Sequence, residues 1–341
     1  MKNHYVSTLR PGARIDDVFL ISSKSLGEAR NGSPYIRLKL SDRTGSVDAF
    51  KWEATEKMFE ELLNEDFIRI RGAVKTHDGK LQVTIESFHP CTDEIDPADF
   101  VLSSERDPGE MLGELRGIVE SVRHPHLRPL LDHFFGDQEF LSRFSKAPAA
   151  QKIHHACIGG LMEHSLSVAK LCDLAASHYS GVNRDLLVTG ALLHDIGKVD
   201  ELCWDKAIKY SDSGHFIGHI VRGTMMVESA ANGITGFDPL LKLLVTHMIV
   251  SHHGEREMGS PKRPKCVEAQ ILHCLEDMDA KVNIIQRAVG GDVPEGDSEL
   301  WTERHWVLGR PLFKGARRST PERASGDSSP ADASDAGDDP F

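Results

Sequence analysis

The first ninety residues carry the apolar and polar pattern of β-strands. Runs rich in β-branched and aromatic residues predict strands at residues 17–26, 35–40, 45–52, 67–76 and 80–88. Asn-Gly-Ser-Pro at 31–34 and Asp78-Gly79 are turn signals between strands. A stretch of helical composition, residues 53–63, follows the third strand. Because three strands, a helix and two strands is the order of an OB-fold, we predict a five-stranded OB-fold β-barrel over residues 10–90.

Beyond residue 108 the apolar positions recur with the 3.6-residue period of helices. Residues 91–108 are rich in Asp, Pro, Ser and Glu and are predicted to be a linker. Helices are predicted at residues 110–122, 126–135, 137–146, 160–179, 184–196, 218–231, 239–251 and 267–289. We therefore expect an all-α domain over residues 109–300, which makes the chain a multidomain α+β protein. Residues 315–341, mostly Ser, Asp, Ala, Gly and Pro, are predicted to be a disordered acidic tail.

The composition of the 341 residues, 40% hydrophobic and 27% charged, is that of a globular protein. None of the six cysteines forms a C-x-x-C pair, which is typical of reduced thiols. No stretch approaches the roughly 18 apolar residues of a membrane span, and no apolar run follows the N-terminus. We therefore expect a cytoplasmic protein without a membrane partner.

The net charge of −12 argues against a simple electrostatic binder of nucleic acid. The charge is unevenly distributed, however, because residues 1–90 hold 14 Lys and Arg against 13 Asp and Glu. The predicted barrel can thus present a locally neutral or basic face to a polyanion in spite of the overall sign.

Several potential metal ligands fall on the buried faces of the predicted helices. His164 lies within the apolar stripe of helix 160–179, and His194 and Asp195 are presented by the last turn of helix 184–196. Asp279 shares an apolar stripe with Leu272, Leu275 and Val282, whereas Asp277 lies on a polar face. A single histidine on an apolar face is usually a hydrogen-bonded core residue. A carboxylate there is costly unless it is paired or binds metal, so the set of four predicts a divalent metal site.

Further histidines extend this candidate site. His219, His252 and His253 are predicted to be additional ligands, although the His-His pair at a helix end is also compatible with a cap or a phosphate contact. His154, His155 and His247 are expected to support the ligands or face the substrate.

The spacing of these residues resembles a known family. His164, the pair His194-Asp195, and Asp279 are similar to the signature of the HD superfamily of metal-dependent phosphohydrolases. Within that superfamily the chain resembles the bacterial YhaM-type 3′→5′ exoribonucleases in six stretches, at residues 154–156, 159–165, 194–198, 251–254, 259–262 and 275–281. The resemblance covers roughly residues 10–290 and implies an N-terminal OB-fold joined to a C-terminal HD domain.

The resemblance also implies an activity. The family acts on RNA, with single-stranded DNA as a second substrate, and prefers manganese-like ions, with Co²⁺, Fe²⁺ or Mg²⁺ as alternatives. His219, His252 and His253 also resemble the binuclear HD-GYP subgroup, which favours two ions. The Gly-Tyr-Pro element of that subgroup is absent, which counts against cleavage of cyclic dinucleotides.

A two-ion mechanism assigns roles to the metal ligands, because two ions about 3.5–4 Å apart can activate water and neutralise phosphate charge. Asp195 would be the catalytic bridging carboxylate. The first ion would be completed by His164, His194 and Asp279, and the second by His219, His252 and His253.

Further residues are expected to contact the substrate. Lys198, one turn beyond Asp195, would reach a phosphate oxygen, or would be a solvated helix-end lysine. Lys262 and Arg263 would hold the next phosphate, or would form a plain surface turn. On the barrel, Tyr35 and Trp52 would stack bases, or would be part of the barrel core.

Three hypotheses follow from the sequence. The first is a metal-dependent 3′→5′ exonuclease that releases nucleoside 5′-monophosphates from single-stranded RNA. The second keeps the phosphohydrolase chemistry but acts on a small or cyclic nucleotide, with a regulatory OB-fold. The third is a nucleic-acid-binding module without catalysis. The sequence leaves open whether the chain forms a homo-oligomer.

Overall fold

The computed structural model describes residues 2–29, 31–64, 66–91, 95–151, 153–290 and 300–315. The chain divides into two compact units, residues 1–284 and 285–341. The first unit holds a β-barrel and a helical domain. The predicted tail lies outside the described residues apart from Gly315. None of the described helices is long and apolar enough to cross a bilayer.

The N-terminal domain is a closed five-stranded barrel, as predicted. Its strands are β1 (Arg14–Glu28), β2 (Pro34–Asp42), β3 (Gly45–Trp52), β4 (Phe67–His77) and β5 (Lys80–Pro90). They follow one another around the barrel in the order β1-β2-β3-β5-β4, and β1 pairs with β4 to close it. The predicted helix between the third and fourth strands is the single turn α1 (Glu56–Glu60), which Thr55 caps.

Alternation along the strands separates the barrel core from its outer face. On β2, Ile36, Leu38 and Leu40 point inward and are fully buried. Tyr35 and Arg37, which alternate with these residues along the strand, point outward. The outward side chains of β2 and β3 therefore do not fill the core and are free to serve another role.

A buried carboxylate attaches the N-terminal segment to this barrel. Asp17 on β1 accepts hydrogen bonds from the backbone amides of Asn3 at 2.7 Å, His4 at 2.6 Å and Val18 at 2.8 Å. Burial would raise the pKa of Asp17, but these amide donors outweigh it and lower that pKa below its usual value. The ionised form is therefore the one that stabilises the fold.

The C-terminal domain consists mainly of helices whose bounds follow the apolar period. They are α2 (Pro108–Ser121), α3 (Leu127–Phe135), α4 (Gln138–Phe144), α5 (Gly160–His178), α6 (Arg184–Leu193), α7 (Lys198–Glu201), α8 (Asp212–Phe216), α9 (His219–Gly233), α10 (Pro239–Ser251) and α11 (Val267–Val289). Side-chain caps set several of their starts. Asp107 accepts from the amide of Glu110, and Asp238 accepts from that of Leu241.

The helical domain also contains elements that the sequence pattern did not predict. Helices α7 and α8 have four and five residues. A two-stranded ribbon, β6 (Leu202–Cys203) and β7 (Lys209–Tyr210), lies between them. Elements this short are not long enough for an apolar period to repeat, which is why periodicity could not indicate them.

The segment predicted as a linker makes hydrogen bonds to both domains. The Arg43 amide of the barrel donates to the Asp99 carbonyl at 3.0 Å. Further along, the Ile158 amide of the helical domain donates to the Leu102 carbonyl at 2.7 Å. Near the ribbon, Lys206 and Asp66 form an ion pair of 2.7 Å. These contacts hold the barrel beside the helical domain.

We predict that Asp17→Asn lowers the free energy of unfolding by about 1–3 kcal/mol at pH 7, because charge-assisted bonds to three amides are weakened. The folded-state pKa of Asp17 is lowered, so its contribution is complete above the unfolded pKa of about 3.9 and is lost as the pH falls through the folded pKa. Urea unfolding between pH 7 and pH 3 should show the difference from wild type shrinking with acid.

The neighbouring Asp16 provides a matched control, because it lies on the outward face and pairs with Arg69 and Arg71. Asp16→Asn should shift the urea midpoint much less than Asp17→Asn. A gap between Asp17→Asn and wild type that stays constant over this pH range would contradict the assignment.

Candidate metal centre

The seven predicted ligands come from five helices that meet at one point. His164 lies on α5, His194 ends α6, and Asp195 follows it. His219 begins α9, the pair His252 and His253 follows α10, and Asp279 lies on α11. Four of these side chains are fully buried, namely His164, His194, Asp195 and His252.

The carboxylate of Asp195 lies at the middle of this cluster, and each of its two oxygens faces a different group of side chains. Oδ2 is 3.3 Å from Nε2 of His194 and 3.7 Å from Nε2 of His164. Lys198 donates to the same oxygen at 2.6 Å. Burial would raise the pKa of Asp195, but Lys198 and His194 outweigh it and hold this pKa well below its usual range.

The second oxygen of Asp195 faces a different group. Oδ1 is 3.5 Å from Nε2 of His219 and 3.6 Å from Nε2 of His252. His253 completes this group, since one nitrogen from each of the three histidines lies within 4.8 Å of the others. Asp195 therefore separates two sets of potential ligands.

Backbone carbonyls orient two of the imidazoles. His194 Nδ1 lies 2.8 Å from the Ala191 carbonyl, and His252 Nδ1 lies 2.7 Å from the Ile249 carbonyl. Because a carbonyl only accepts, each Nδ1 carries the proton and each Nε2 presents a lone pair to Asp195 when the ring is neutral. Burial, together with His253 and His194, lowers the pKa of His252 well below its usual value, which favours the neutral ring.

Carboxylates orient two other imidazoles in the same sense. His164 Nδ1 lies 2.8 Å from Asp279 Oδ2, and His219 Nδ1 lies 2.9 Å from Glu201 Oε1. In both rings the Nε2 atom points toward Asp195. A carboxylate behind the ring is the usual support of a metal-binding histidine.

Several polar atoms of the cluster are buried without a hydrogen-bond partner among the described residues. They are Asp195 Oδ1, His219 Nε2, His252 Nε2 and His154 Nε2. Buried polar atoms are almost always paired, and a group of unpaired ones requires an explanation. All four are atoms that coordinate divalent ions, so the residues present fit a metal.

Glu276 is a member of the cluster that the sequence analysis missed. It is 4% exposed, and its Oε2 lies 3.8 Å from Nδ1 of His253. It also groups with His154 and His164 within 4.8 Å. Burial would raise the pKa of Glu276, but His253 and His252 outweigh it and hold this pKa well below its usual range.

The burial of α11 explains why Glu276 was missed. The buried stripe of this helix runs through Leu272, Glu276 and Ala280. The predicted stripe included Val282, which is 46% exposed, so that part of the prediction is wrong. A carboxylate in an apolar stripe is costly unless it has a partner, so the sequence signal for Glu276 is its place between Leu272 and Ala280 on the buried stripe.

Asp279 lies on the far side of the His164 ring from Asp195. Its Oδ2 accepts from His164 Nδ1 and lies 3.2 Å from His155 Nε2, and Ser167 also donates to the carboxylate. Burial would raise the pKa of Asp279, but the hydrogen bonds from His155 and His164 outweigh burial and hold this pKa well below its usual value. The Asp279 carboxylate thus contacts Nδ1 of His164, whereas the Nε2 atom of the same ring faces Asp195.

The predicted phosphate-binding residues fall in two environments. Lys198 is buried and bonded to Asp195. Lys262 and Arg263 are exposed, and Arg263 pairs with Glu255 at 2.6 Å.

The predicted base-stacking residues lie on the outer face of the barrel. Tyr35 and Trp52 are partners in the β2–β3 register, with ring centroids 5.1 Å apart. Phe50 stacks on Trp52 at 5.8 Å, and the Arg37 guanidinium lies 5.9 Å from the Phe50 ring. Trp52 is 44% exposed, so this group is not part of the barrel core. It is the strand pair through which OB-folds bind oligonucleotides.

Comparison with known proteins agrees with both domains. Residues 161–281 match the HD domain family, and residues 19–90 match the family of OB-fold nucleic acid binding domains. The fold and site are those of an HD-domain hydrolase joined to an OB-fold. The chain is 32% identical over 301 residues to the 3′-5′ exoribonuclease YhaM of Geobacillus sp. (strain WCH70), covering 87% of this chain and 90% of that protein. The chain therefore belongs to the YhaM family of 3′-5′ exoribonucleases.

Solved structures match part of the chain at low sequence identity. The second OB-fold domain of replication protein A from Methanococcus maripaludis is 19% identical, with coverage of 27% of this chain and 98% of that one and a TM-score of 0.23. The protein PriB from Ralstonia solanacearum is 12% identical, with coverage of 23% and 95% and a TM-score of 0.21.

Gly197 allows the His-Asp turn to approach His219. A Cβ atom on Gly197 would lie 2.1 Å from the His219 carbonyl oxygen and 2.7 Å from the Gly223 nitrogen. We predict that Gly197→Ala separates α7 from α9, destabilises the protein by about 1–3 kcal/mol and weakens Mn²⁺ binding. Thermal unfolding and calorimetric titration with Mn²⁺ would measure both effects.

Gly117 provides the matched control, because a Cβ atom there meets nothing within 4 Å. Gly117→Ala lies in the exposed part of α2 and should stabilise the protein by about 0.5–1 kcal/mol, without an effect on metal. Equal behaviour of the two variants would show that the close approach at Gly197 is unimportant.

Proposed function

We propose that the chain is a metal-dependent 3′→5′ exoribonuclease that hydrolyses single-stranded RNA to nucleoside 5′-monophosphates. The observation that carries this proposal is the position of Asp195, whose two oxygens face separate groups of imidazoles. Family membership and the OB-fold support the direction of attack and the single-stranded substrate. We expect the protein in the cytoplasm, where that substrate occurs.

Two divalent ions fit the two groups of ligands. The first would be held by His164, His194 and Asp195, with Glu276 as a further ligand. The second would be held by the remaining ligands, namely Asp195, His219, His252 and His253. Imidazole and carboxylate ligands suit Mn²⁺, which the family resemblance also favours.

The role that we assign to Asp279 differs from the one expected from the sequence. Its carboxylate contacts Nδ1 of His164, whereas Nε2 of the same ring faces Asp195. We therefore assign Asp279 to orienting His164 and assign the fourth ligand position to Glu276. His155, which lies against Asp279 and has its amide bonded to Asn283, helps to hold that carboxylate.

Divalent ions in this position, when bound, make water acidic enough to attack at neutral pH and neutralise the phosphate. The side chains of the protein would hold these ions and position the phosphate groups of the substrate. Asp195 stays ionised and so keeps its two oxygens available on both sides. Lys198, the cation adjacent to Asp195, would contact a non-bridging phosphate oxygen. Lys262 and Arg263 would bind the following phosphate.

The barrel would bind the single strand through its outer β2–β3 face. Tyr35 and Trp52 would stack on bases, which requires no particular base identity because every base has an aromatic face. Arg37 and Lys39, on the outward positions of β2, would contact phosphates. This interaction suits an enzyme that degrades a strand one nucleotide after another.

The central test is degradation of 5′-end-labelled single-stranded RNA in Mn²⁺. Wild-type protein should shorten the strand from its 3′ end, and EDTA should stop the reaction. Asp195→Asn should lower the rate by more than about 100-fold, because changes in the shell behind a metal already cost 10–100-fold. Intact RNA with wild-type protein, or full activity in Asp195→Asn, would overturn the proposal.

A second test separates three acids of α11, Glu276, Asp277 and Asp279, by their effect on metal content. Glu276→Gln should lower the number of ions bound per chain, as measured by elemental analysis after dialysis. Asp279→Asn should keep that number at saturation but weaken affinity by about 10–100-fold. Asp277→Asn is the matched control, because Asp277 pairs with the exposed Lys281 and the substitution should leave both quantities unchanged. Loss of an ion in Asp279→Asn alone would reverse the assignment.

A third test concerns the barrel face. Trp52→Ala should raise KM for long single-stranded RNA by roughly 5- to 150-fold, since stacking on one base contributes about 1–3 kcal/mol. Hydrolysis of bis(p-nitrophenyl) phosphate, which is too small to reach the barrel, should not change. The control is Leu63→Ala, which removes another exposed apolar side chain of the barrel domain. An unchanged KM in Trp52→Ala would exclude this face as the binding surface.

A further inference from the structure

Residues 300–315 form a small β-hairpin to which neither the metal centre nor the barrel gives a role. Trp301 is opposite Phe313, and His305 is opposite Arg310, in antiparallel bridges. The Lys314 amide donates to the Leu300 carbonyl at 2.9 Å, and the His305 amide donates to the Arg310 carbonyl at 3.0 Å. The chain reverses near Gly309, which has a positive φ of 64°. The hairpin thus has defined hydrogen bonds.

Large aromatic side chains of this hairpin are exposed. Trp306 is 73% exposed, Trp301 54% and Phe313 52%. The Trp301 and Phe313 rings lie 5.5 Å apart, and the His305 and Trp306 rings are nearly parallel, at 19°. Tryptophan is costly to expose, and exposed aromatic groups of this size usually mark a binding surface.

The charge of the hairpin is opposite to that of the whole protein. Residues 300–315 contain Arg304, Arg310 and Lys314 against the single acid Glu303, whereas the chain carries a net charge of −12. Within the part of the chain that the structure describes, no acidic side chain pairs with Arg304 or Arg310. Aromatic and basic residues alternate along the hairpin, and Arg304 and Arg310 are available to an anionic partner.

We propose that this hairpin is a second binding site for single-stranded nucleic acid, in addition to the β2–β3 face of the barrel. Exposed rings interleaved with arginine and lysine are what a flexible strand requires, because the rings stack on bases and the cations contact phosphates. A purely apolar contact with another protein would not need the cations. The choice of RNA as the ligand rests on the proposed function.

Two sites on one chain bind a long strand more tightly than either site alone. A strand long enough to occupy both sites should therefore lose affinity when the hairpin is altered, whereas a short one that occupies only the barrel should not. In an exonuclease the second site would keep the strand attached between successive cleavage steps, so that more nucleotides are removed per binding event.

The test measures binding of fluorescent 30-nucleotide and 6-nucleotide single-stranded RNA to the full chain by anisotropy, in EDTA so that nothing is cleaved. Trp306→Ala should raise Kd for the long strand by roughly 5- to 150-fold and leave that for the short strand unchanged. Arg310→Ala should weaken binding of the long strand and reduce the slope of log K against log salt by about 0.7. Tyr179→Ala, which removes an exposed aromatic ring elsewhere, is the matched control.

An unchanged Kd for the long strand in Trp306→Ala would overturn the inference. So would a change in the mass of that variant by analytical ultracentrifugation, because it would identify the hairpin as a contact between copies of the chain. The proposed function is judged separately, by hydrolysis of RNA in Mn²⁺. Wild-type protein that binds through the hairpin without degrading RNA would refute the exonuclease and leave the second binding site in place.

Discussion

A fully buried carboxylate, that of Asp195, lies between two groups of imidazoles and is the interaction on which the rest of this structure depends. A charge in the protein interior is tolerated only when its surroundings compensate it. Here the compensation comes from Lys198 on one oxygen, while the other oxygen lacks a hydrogen-bond partner among the described residues. The unpaired oxygen and the imidazole nitrogens that face it are suited to bind cations, which connects the fold directly to its chemistry.

The rings of four histidines are oriented by contacts on the side of each ring that faces away from Asp195. Backbone carbonyls fix the rings of His194 and His252, and carboxylates fix those of His164 and His219. All four rings thereby present the same nitrogen inward. The absence of a side chain at Gly197 allows the His-Asp turn to touch the start of α9. The positions of the ligand atoms therefore depend on the carbonyls and carboxylates that bond to the rings as much as on the histidines themselves.

The surfaces proposed to bind the substrate share one design. The β2–β3 face and the hairpin of residues 300–315 both combine exposed aromatic rings with arginine, although the chain as a whole is acidic. Local composition rather than net charge thus determines where a polyanion can bind. A strand held by stacking is bound without regard to base sequence, which is what degradation of diverse single strands requires.

The sequence alone determined the order of the two domains, since strand alternation and helical periodicity are local properties of the chain. It also indicated His164, His194 and Asp195, because polar residues within apolar stripes are visible in one dimension. The tertiary structure decided which partners each carboxylate of α11 meets, namely His253 for Glu276 and His164 and His155 for Asp279. Glu276 and Asp279 are three residues apart on the helix, so both lie near one face and the sequence does not distinguish which partners each will meet. The directions of the His164 and His219 rings, which Asp279 and Glu201 set, and the two sides of Asp195 also arise only from packing between distant segments, which periodicity cannot report.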